Sequence, residues 1–384
     1  MTAWSGAADT GRDPASLPDA PPPQLLDAPT HDGNDGNGRA DPVLVRDMVV
    51  RRGLGEAGVG ENGPAARDPD ARPAMSLDRA SALAGALYDT VSRVVLGTPG
   101  AVTVTVVAAV SCGHLLIEDV PGTGKTVLGR TLASALGAEL SRIQGHTDLL
   151  PSDVTGVSVY APDRGDWRFH PGPVFAHVVL LDELNRTPPR TQSALLEAMG
   201  EEQVTVDGTR WPLPSPHLVI ATQNPVGQLG TFPLVESQLD RFALSTPLGY
   251  PDDATEFRLA MGEGGRPELS RVHAVCGTAE WAALVDACAR VRVSPPVAQY
   301  AVRLTRATRD SSAVRLGASP RASITLVRSA QAHALLEGRE FVAPIDVQAM
   351  AVPGLAHRLV GDGTLDERAA VVRDVLRSVP APRP

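Results

Sequence analysis

The sequence predicts an α/β domain built on a parallel sheet, followed by an all-helical domain. Three observations carry this expectation. The apolar run His114-Leu-Leu-Ile117 leads into Glu118-Asp-Val-Pro-Gly-Thr-Gly-Lys-Thr126 and then into the helical pattern Val127-Leu-Gly-Arg-Thr-Leu-Ala-Ser-Ala-Leu136, a strand–loop–helix unit. Val178-Val-Leu-Leu-Asp-Glu183 is a continuous apolar run ending in two carboxylates, the pattern of a strand buried on both faces of a parallel sheet. From Asp252 onward the apolar spacing is helical.

Length and composition set the outer limits. A chain of 384 residues has room for two or three domains, each able to bury a core. The net charge of −9 gives no general pull toward nucleic acid or anionic lipid. Aromatic residues make up only 4 %, so Leu, Val and Ala must carry the interior. Cys112, Cys276 and Cys288 are odd in number and widely spaced, without a metal-ligand pattern, which fits a reducing, cytoplasmic setting. No apolar run reaches the length of a membrane span, and the N-terminus lacks the basic-then-apolar layout of a secretion signal.

Residues 1–75 are rich in Pro, Gly, Asp and Ala, as in Pro18-Asp-Ala-Pro-Pro-Pro23, and Trp4 is their only aromatic. Such a segment buries too little apolar surface to offset its ordering entropy, so a disordered tail is expected, with Met75 a candidate alternative start. An ordered domain is expected over 76–249. Ser76 should cap a helix that carries Leu83, Leu87, Val91, Val94 and Val95 at steps of three and four. Gly97 and Pro99 break that run, and the stretch 102–110 leads into the first strand. A second strand is expected around Leu140 to Gln144.

Two hairpins are expected as insertions, at about 157–170 and 203–213. The first should pair 157–160 with 167–170 across Pro162-Asp-Arg-Gly165, and the second should turn at Asp207-Gly208. Residues 191–199 read as a helix, 218–222 as a strand and 234–242 as a short helix. The helical domain, expected over 250–378, has segments at 255–261, 281–290, 295–309, 320–336, 344–351 and 366–376. Residues 379–384 should fray.

The chemistry is concentrated at few positions. Gly122 and Gly124 let backbone N–H groups close around phosphate oxygens at a helix start, whose dipole favours an anion. Lys125 would reach the terminal phosphates and the Thr126 hydroxyl would ligate Mg2+. Lys125 is the only lysine in the chain; the other 34 of the 35 basic residues are arginine. Asp119 stands where the first glycine of G-x-x-x-x-G-K-[ST] belongs. By itself the stretch could also be a turn without a ligand. Asp182 would hold Mg2+ and Glu183 would polarise water, although a helix N-cap also explains such a pair.

Asn224, in Ala221-Thr-Gln-Asn-Pro225, stands at a strand tip, where it could orient water or simply form a turn before proline. Arg241 could satisfy the end of the short helix before it. Arg321 is less ordinary. Ser319 and Pro320 read as N-cap and first residue of a helix, which puts a cation in a first turn where the dipole disfavours it and a nearby phosphate would resolve the conflict.

Taken together, these residues resemble the MoxR family of AAA+ ATPases. The resemblance runs from about Leu87 to the C-terminal helices. It rests on Asp148-Leu-Leu-Pro-Ser-Asp-Val-Thr-Gly156, Phe169-His-Pro-Gly-Pro-Val-Phe175, Asp182-Glu-Leu-Asn-Arg-Thr-Pro-Pro-Arg-Thr-Gln-Ser-Ala-Leu-Leu-Glu-Ala-Met199, Ala221-Thr-Gln-Asn-Pro225, Gln238-Leu-Asp-Arg-Phe242 and Gly317-Ala-Ser-Pro-Arg-Ala322. It implies an αβα nucleotide domain with sheet order 5-1-4-3-2, a helical lid, and a homo-oligomeric ring, commonly a hexamer, with ATP at subunit interfaces.

On that resemblance, ATP would lie along Asp119, Val120, Pro121, Gly122, Thr123, Gly124, Lys125, Thr126 and Val127, with Val95 and Leu96 beside adenine. Thr126 and Asp182 would hold Mg2+. Glu183 would be the Walker B glutamate, Asn224 sensor 1, Arg241 the arginine finger and Arg321 sensor 2, acting in cis or in trans. The hairpins match insertions that line a central pore. Gly145-His-Thr147 departs from the family's usual Phe-Thr-Pro.

The function expected from this resemblance is ATP hydrolysis driving chaperone-like remodelling of partner proteins, among them proteins with von Willebrand factor A domains. One rival is a nucleic-acid motor, with Arg164, Arg168 and Arg210 of the hairpins facing a phosphate backbone; the acidic balance weighs against it. The other is a nucleotide-gated scaffold without hydrolysis, against which Glu183, Asn224 and Arg241 stand.

Overall fold

The computed structural model describes residues 74–119, 122–163, 165–223, 230–361 and 363–383, which lie in one compact unit beginning at Arg67. The expectations for residues 1–73, Val120, Pro121, Arg164, Asn224 and Pro384 fall outside the described residues.

Helix α1 (Leu77–Val94) starts at Ser76, whose hydroxyl accepts the Arg79 N–H at 3.3 Å. Met75, just ahead of it, is buried in the core. The stretch that leads to the first strand is itself a helix, α2 (Pro99–Ser111). Its apolar residues show no helical stripe because ten of its thirteen residues are buried, so nearly every side must be apolar. Trp281 donates its indole N–H to Ala109 O at 2.9 Å and ties this helix to the lid.

The central sheet contains β1 (Leu115–Glu118), β2 (Leu140–Gln144), β5 (Val178–Asp182), β8 (Leu218–Gln223) and β9 (Leu244–Thr246), with α3 (Lys125–Ala135) between β1 and β2. All pairings are parallel and the order is β2-β5-β8-β1-β9. Counting only these strands and reading from the β9 edge, this is 5-1-4-3-2, the order that the resemblance implies. Alternation of side chains sorts the strands between two cores. Leu115, Ile117, Leu180 and Ile220 face a core shared with α1, α2, α3 and the lid, while Leu116, Leu181 and Val219 face a second core with α5 (Pro189–Glu201) and Phe242.

Helix α4 (Pro151–Thr155), absent from the sequence expectation, precedes the first hairpin. That hairpin, β3 (Gly156–Ala161) with β4 (Asp166–Pro171), pairs Val157 with His170 and Tyr160 with Trp167 as expected. The second, β6 (Gln203–Val206) with β7 (Thr209–Pro212), turns at Asp207 and Gly208 with φ of 50° and 74°, the positive pair such a two-residue loop requires. Phe169 stacks on Trp211 at 4.5 Å and so joins the hairpins.

The region after the sheet, where the lid is expected, is all helical: α7 (Asp253–Ala260), α8 (Gly265–Leu269), α9 (Thr278–Ala289), α10 (Pro295–Ala307), α11 (Pro320–Leu336), α12 (Pro344–Leu355) and α13 (Leu365–Ser378). Helix α6 (Glu236–Leu239) is one turn, shorter than the expected 234–242, and α8 is an addition. The lid has no core of its own: Trp281, Tyr300 and Leu326 belong to the cluster that holds Leu115 and Leu128. Within the segment expected to fray, Val379 packs on that core and Arg303 donates to Pro380 O at 3.3 Å. Among the described residues, no helix is long and apolar enough to cross a membrane.

The three cysteines are unbridged, and burial pushes the Cys276 and Cys288 thiols up to about 11 and about 12. Cys276 and Cys288 are packing residues.

Candidate active site

Parallel strands place their C-terminal ends along one sheet edge, and the loops that follow meet there. Asp182 ends β5 beside Gln144, and Gln223 ends β8 beside Glu118. The glycine loop follows β1 at the same edge. Gly122 and Gly124 hold φ of 91° and 94°, and a Cβ built on either would meet nothing within 4 Å. The loop is therefore open on the side where an anion would approach the first turn of α3.

A pocket of about 400 Å³ lies here, lined by Gly122, Gly124, Lys125, Thr126, Asp182 and Glu183, with Arg142, Gln144, Thr222 and Arg266 around them. Thr126 Oγ1 donates to Asp182 Oδ2 at 3.3 Å. A hydroxyl and a carboxylate converging in this way are the hard oxygen ligands that Mg2+ prefers, so the residues present fit that ion. Lys125 Nζ donates to Asp119 O at 2.8 Å. Burial pulls its ammonium below the ordinary value, while Asp119, Asp182 and Glu183 work in the other direction.

Glu183 stands in the left-handed region, φ 58° and ψ 48°, and its N–H donates to Thr222 Oγ1 at 2.9 Å. Its carboxylate accepts from Gln144 Nε2 at 3.1 Å and faces Arg186 at 3.4 Å. A non-glycine residue held there stores strain that the surrounding contacts must offset, a recurrent trait of functional positions.

The structure gives Asp119 a job that a glycine could not do. Its Oδ2 accepts the N–H groups of Leu248 and Gly249 at 2.9 and 2.7 Å, 129 and 130 residues away, and so fixes the loop to the chain leaving β9. Asp119→Gly would restore the familiar motif yet strip one buried and one half-buried amide of their acceptor. It should lower the unfolding free energy by about 2 kcal/mol, read as a shift in the urea midpoint, without tightening nucleotide binding.

Arg241 and Arg321 are brought together, but elsewhere. They line a second pocket of about 380 Å³ with Cys112, His114, Gly200 and Arg328. Residues 111–114 precede β1 and the glycine loop follows it, so the two pockets lie at opposite ends of that strand, roughly 13 Å long for its four residues.

Arg241 donates to Leu196 O in α5, and Gly200 makes room for it: a Cβ there would fall 2.8 Å from Arg241 Nη1. His114 accepts the Val219 N–H on Nδ1 at 3.1 Å, so its Nε2–H donates to Met199 O at 3.2 Å; burial lowers its pKa to about 4 and keeps it neutral.

One carboxylate, missed by the sequence reading, joins the two segments that carry these arginines. Asp240 directly precedes Arg241 and accepts from Ser319 Oγ at 2.9 and 3.0 Å. Ser319 is the N-cap of α11, as expected, and accepts the Ala322 N–H at 3.4 Å. Asp240 also pairs with Arg358 at 3.1 Å, a guanidinium whose pKa burial lowers to about 10.

Val95 and Leu96, expected beside adenine, are not among the residues lining the glycine-loop pocket. Leu96 lies against Gly264, where a Cβ would come within 2.8 Å of its side chain, immediately before the helix that brings Arg266 to that pocket.

Residues 114–244 match the family model described as "ATPase family associated with various cellular activities (AAA)", and residues 306–378 match the AAA lid domain. The chain is 42 % identical over 307 residues to the uncharacterized protein YeaC of Bacillus subtilis, covering 78 % of this chain and 95 % of that protein. It is 38 % identical over 306 residues to chaperone MoxR1 of Mycobacterium tuberculosis, covering 76 % of this chain and 81 % of that protein. A crystal structure of a protein from Cytophaga hutchinsonii, assigned as an ATPase, superimposes with a TM-score of 0.71 at 34 % identity, covering 79 % of this chain and 96 % of that one.

Proposed function

The chain belongs to the MoxR family of AAA+ ATPases, and on that footing we propose that it hydrolyses Mg·ATP between the subunits of a cytoplasmic ring, commonly a hexamer in this family, to remodel partner proteins. The observation that carries this reading is the pair of separate half-sites. One pocket holds the glycine loop, Lys125, Thr126, Asp182 and Glu183. The other, at the far end of β1, presents Arg241 and Arg321, for which no salt bridge forms among the described residues. Arginines so placed serve the phosphate of a neighbouring copy, so both act in trans.

Each residue then has a defined task. Backbone N–H groups of the loop and Lys125 hold the phosphates, and Glu183 orients water and takes its proton. Arg241 and Arg321 of the next subunit stabilise the charge that develops on the transferred group. Mg2+, held by Thr126 and Asp182, would neutralise phosphate charge when bound. Asn224 is assigned to the water as well, on sequence grounds.

The hairpins supply a surface for clients. Trp167 is 71 % exposed and packs on Tyr160 at 5.5 Å, with Val157 and Val159 also exposed on the same hairpin. An apolar grip of this kind suits a polypeptide, and von Willebrand factor A domain proteins are the clients the family resemblance suggests.

Phosphate release by the purified protein over a concentration series tests the proposal: specific activity should rise as the chain assembles. Arg241→Ala and Arg321→Ala should each lower turnover by about 10³ while ATP binding is kept. Mixing Arg241→Ala with Lys125→Arg chains should restore part of the activity, because mixed interfaces join one intact half-site from each. Full activity in either arginine variant alone, or concentration-independent turnover, would remove the trans assignment.

A further inference from the structure

Both carboxylates at the end of β5 are engaged by one neighbouring strand. Arg142 and Gln144 stand two residues apart on β2, so they project to the same face, beside Leu180 and Asp182 in the parallel register. Arg142 donates Nε–H to Asp182 Oδ2 at 2.7 Å and a terminal N–H to Gln144 Oε1 at 2.9 Å. Gln144 in turn donates Nε2–H to Glu183 Oε2 at 3.1 Å. A continuous relay joins the carboxylate at the metal position to the carboxylate at the water position.

The oxygen that Arg142 grips is also the one that receives the Thr126 hydroxyl. Asp182 is 6 % exposed, and a carboxylate so enclosed needs a cation beside it. A guanidinium and a divalent ion on one oxygen repel each other strongly. Arg142 is free to yield, because β2 is the sheet's edge strand and its side chain is 44 % exposed.

We propose that Arg142 is an internal counter-cation of the metal position, which neutralises Asp182 before loading and must leave when a divalent ion is taken up. This inference rests on the reading of Thr126 and Asp182 as the metal-binding pair. Its departure withdraws the donor side of the relay, so Gln144 loosens and Glu183 is released toward water. Metal loading and readiness for hydrolysis are thereby coupled through two side chains of one strand.

The test is a binding measurement on the full chain. A fluorescent ribose-labelled ATP is bound without Mg2+, and MgCl2 is then titrated while the signal is followed. Arg142→Gln should reach half-saturation at about one tenth of the Mg2+ concentration that the wild-type chain needs, the effect of removing one charged hydrogen bond. Its melting temperature without Mg2+ should be lower than that of the wild-type chain and recover with Mg·ATP. Gln144→Leu, which leaves the Arg142–Asp182 pair in place, should keep the wild-type midpoint.

An unchanged or raised midpoint in Arg142→Gln overturns the proposal. So does an equal shift in Gln144→Leu, which would mean that β2 has merely loosened. A wild-type chain that binds no labelled ATP at any Mg2+ concentration overturns the Mg·ATP reading itself, a distinguishable failure.

Discussion

Lys125→Arg is expected to lower both ATP binding and turnover, the latter by about 10² to 10³, although arginine is the chain's cation everywhere else. Lys125 opens α3 directly after Gly124, whose φ of 94° turns the loop back over the helix start. Its Nζ donates to Asp119 O at 2.8 Å, inside the loop. A compact ammonium on a flexible stem can leave that carbonyl and follow a phosphate oxygen. A planar fork has neither the size nor the freedom to do so. It would also find Asp182 and Glu183 within the same pocket and pair with them bidentately, closing the space where phosphate belongs. The fold should be untouched, with circular dichroism and the melting temperature close to wild type. Turnover within a few-fold of wild type would show that this position needs only positive charge.

What could be read in the chain before its structure divides along a physical line. The strand–loop–helix unit, the apolar β5 run and the Asp207-Gly208 hairpin were legible because each is local: period, turn chemistry and caps act within a few residues. Helix α2 was not, since a helix buried nearly all round carries no stripe. Asp119 looked like a blemish in the loop because its partners, Leu248 and Gly249, lie 129 and 130 residues away. Arg142 and Gln144 carried no signal either, as their role depends on the β2–β5 register.

The arginines show the same limit. Sequence singled out Arg241 and Arg321 as residues to explain, and the Ser319 cap was found as read. That they share a pocket apart from Lys125, with Asp240 bonded to the Ser319 cap, follows only from how the C-terminal helices pack on the sheet.

Glu183→Gln separates binding from chemistry more sharply than any other change in this chain. The substitution keeps the size of the side chain and one acceptor oxygen for Arg186 and Gln144, and the backbone N–H bond to the Thr222 hydroxyl is untouched, so the residue can still hold its left-handed conformation. None of the phosphate-holding groups is altered, and ATP affinity should stay within a few-fold of wild type. On the proposed mechanism, what is lost is the group that accepts a proton from water, which costs about 10² to 10⁴ in rate. Phosphate release should therefore collapse while labelled ATP still binds, and the chain should remain in its ATP-loaded state. That state is the one in which a client would be retained, so the same variant, incubated with ATP, should co-purify with a partner that the wild-type chain releases. Should Glu183→Gln hydrolyse ATP at the wild-type rate, the water-activating role passes to another residue at this sheet edge. Weak ATP binding by the variant would instead mean that the strained Glu183 backbone shapes the pocket and that its carboxylate is needed to hold it.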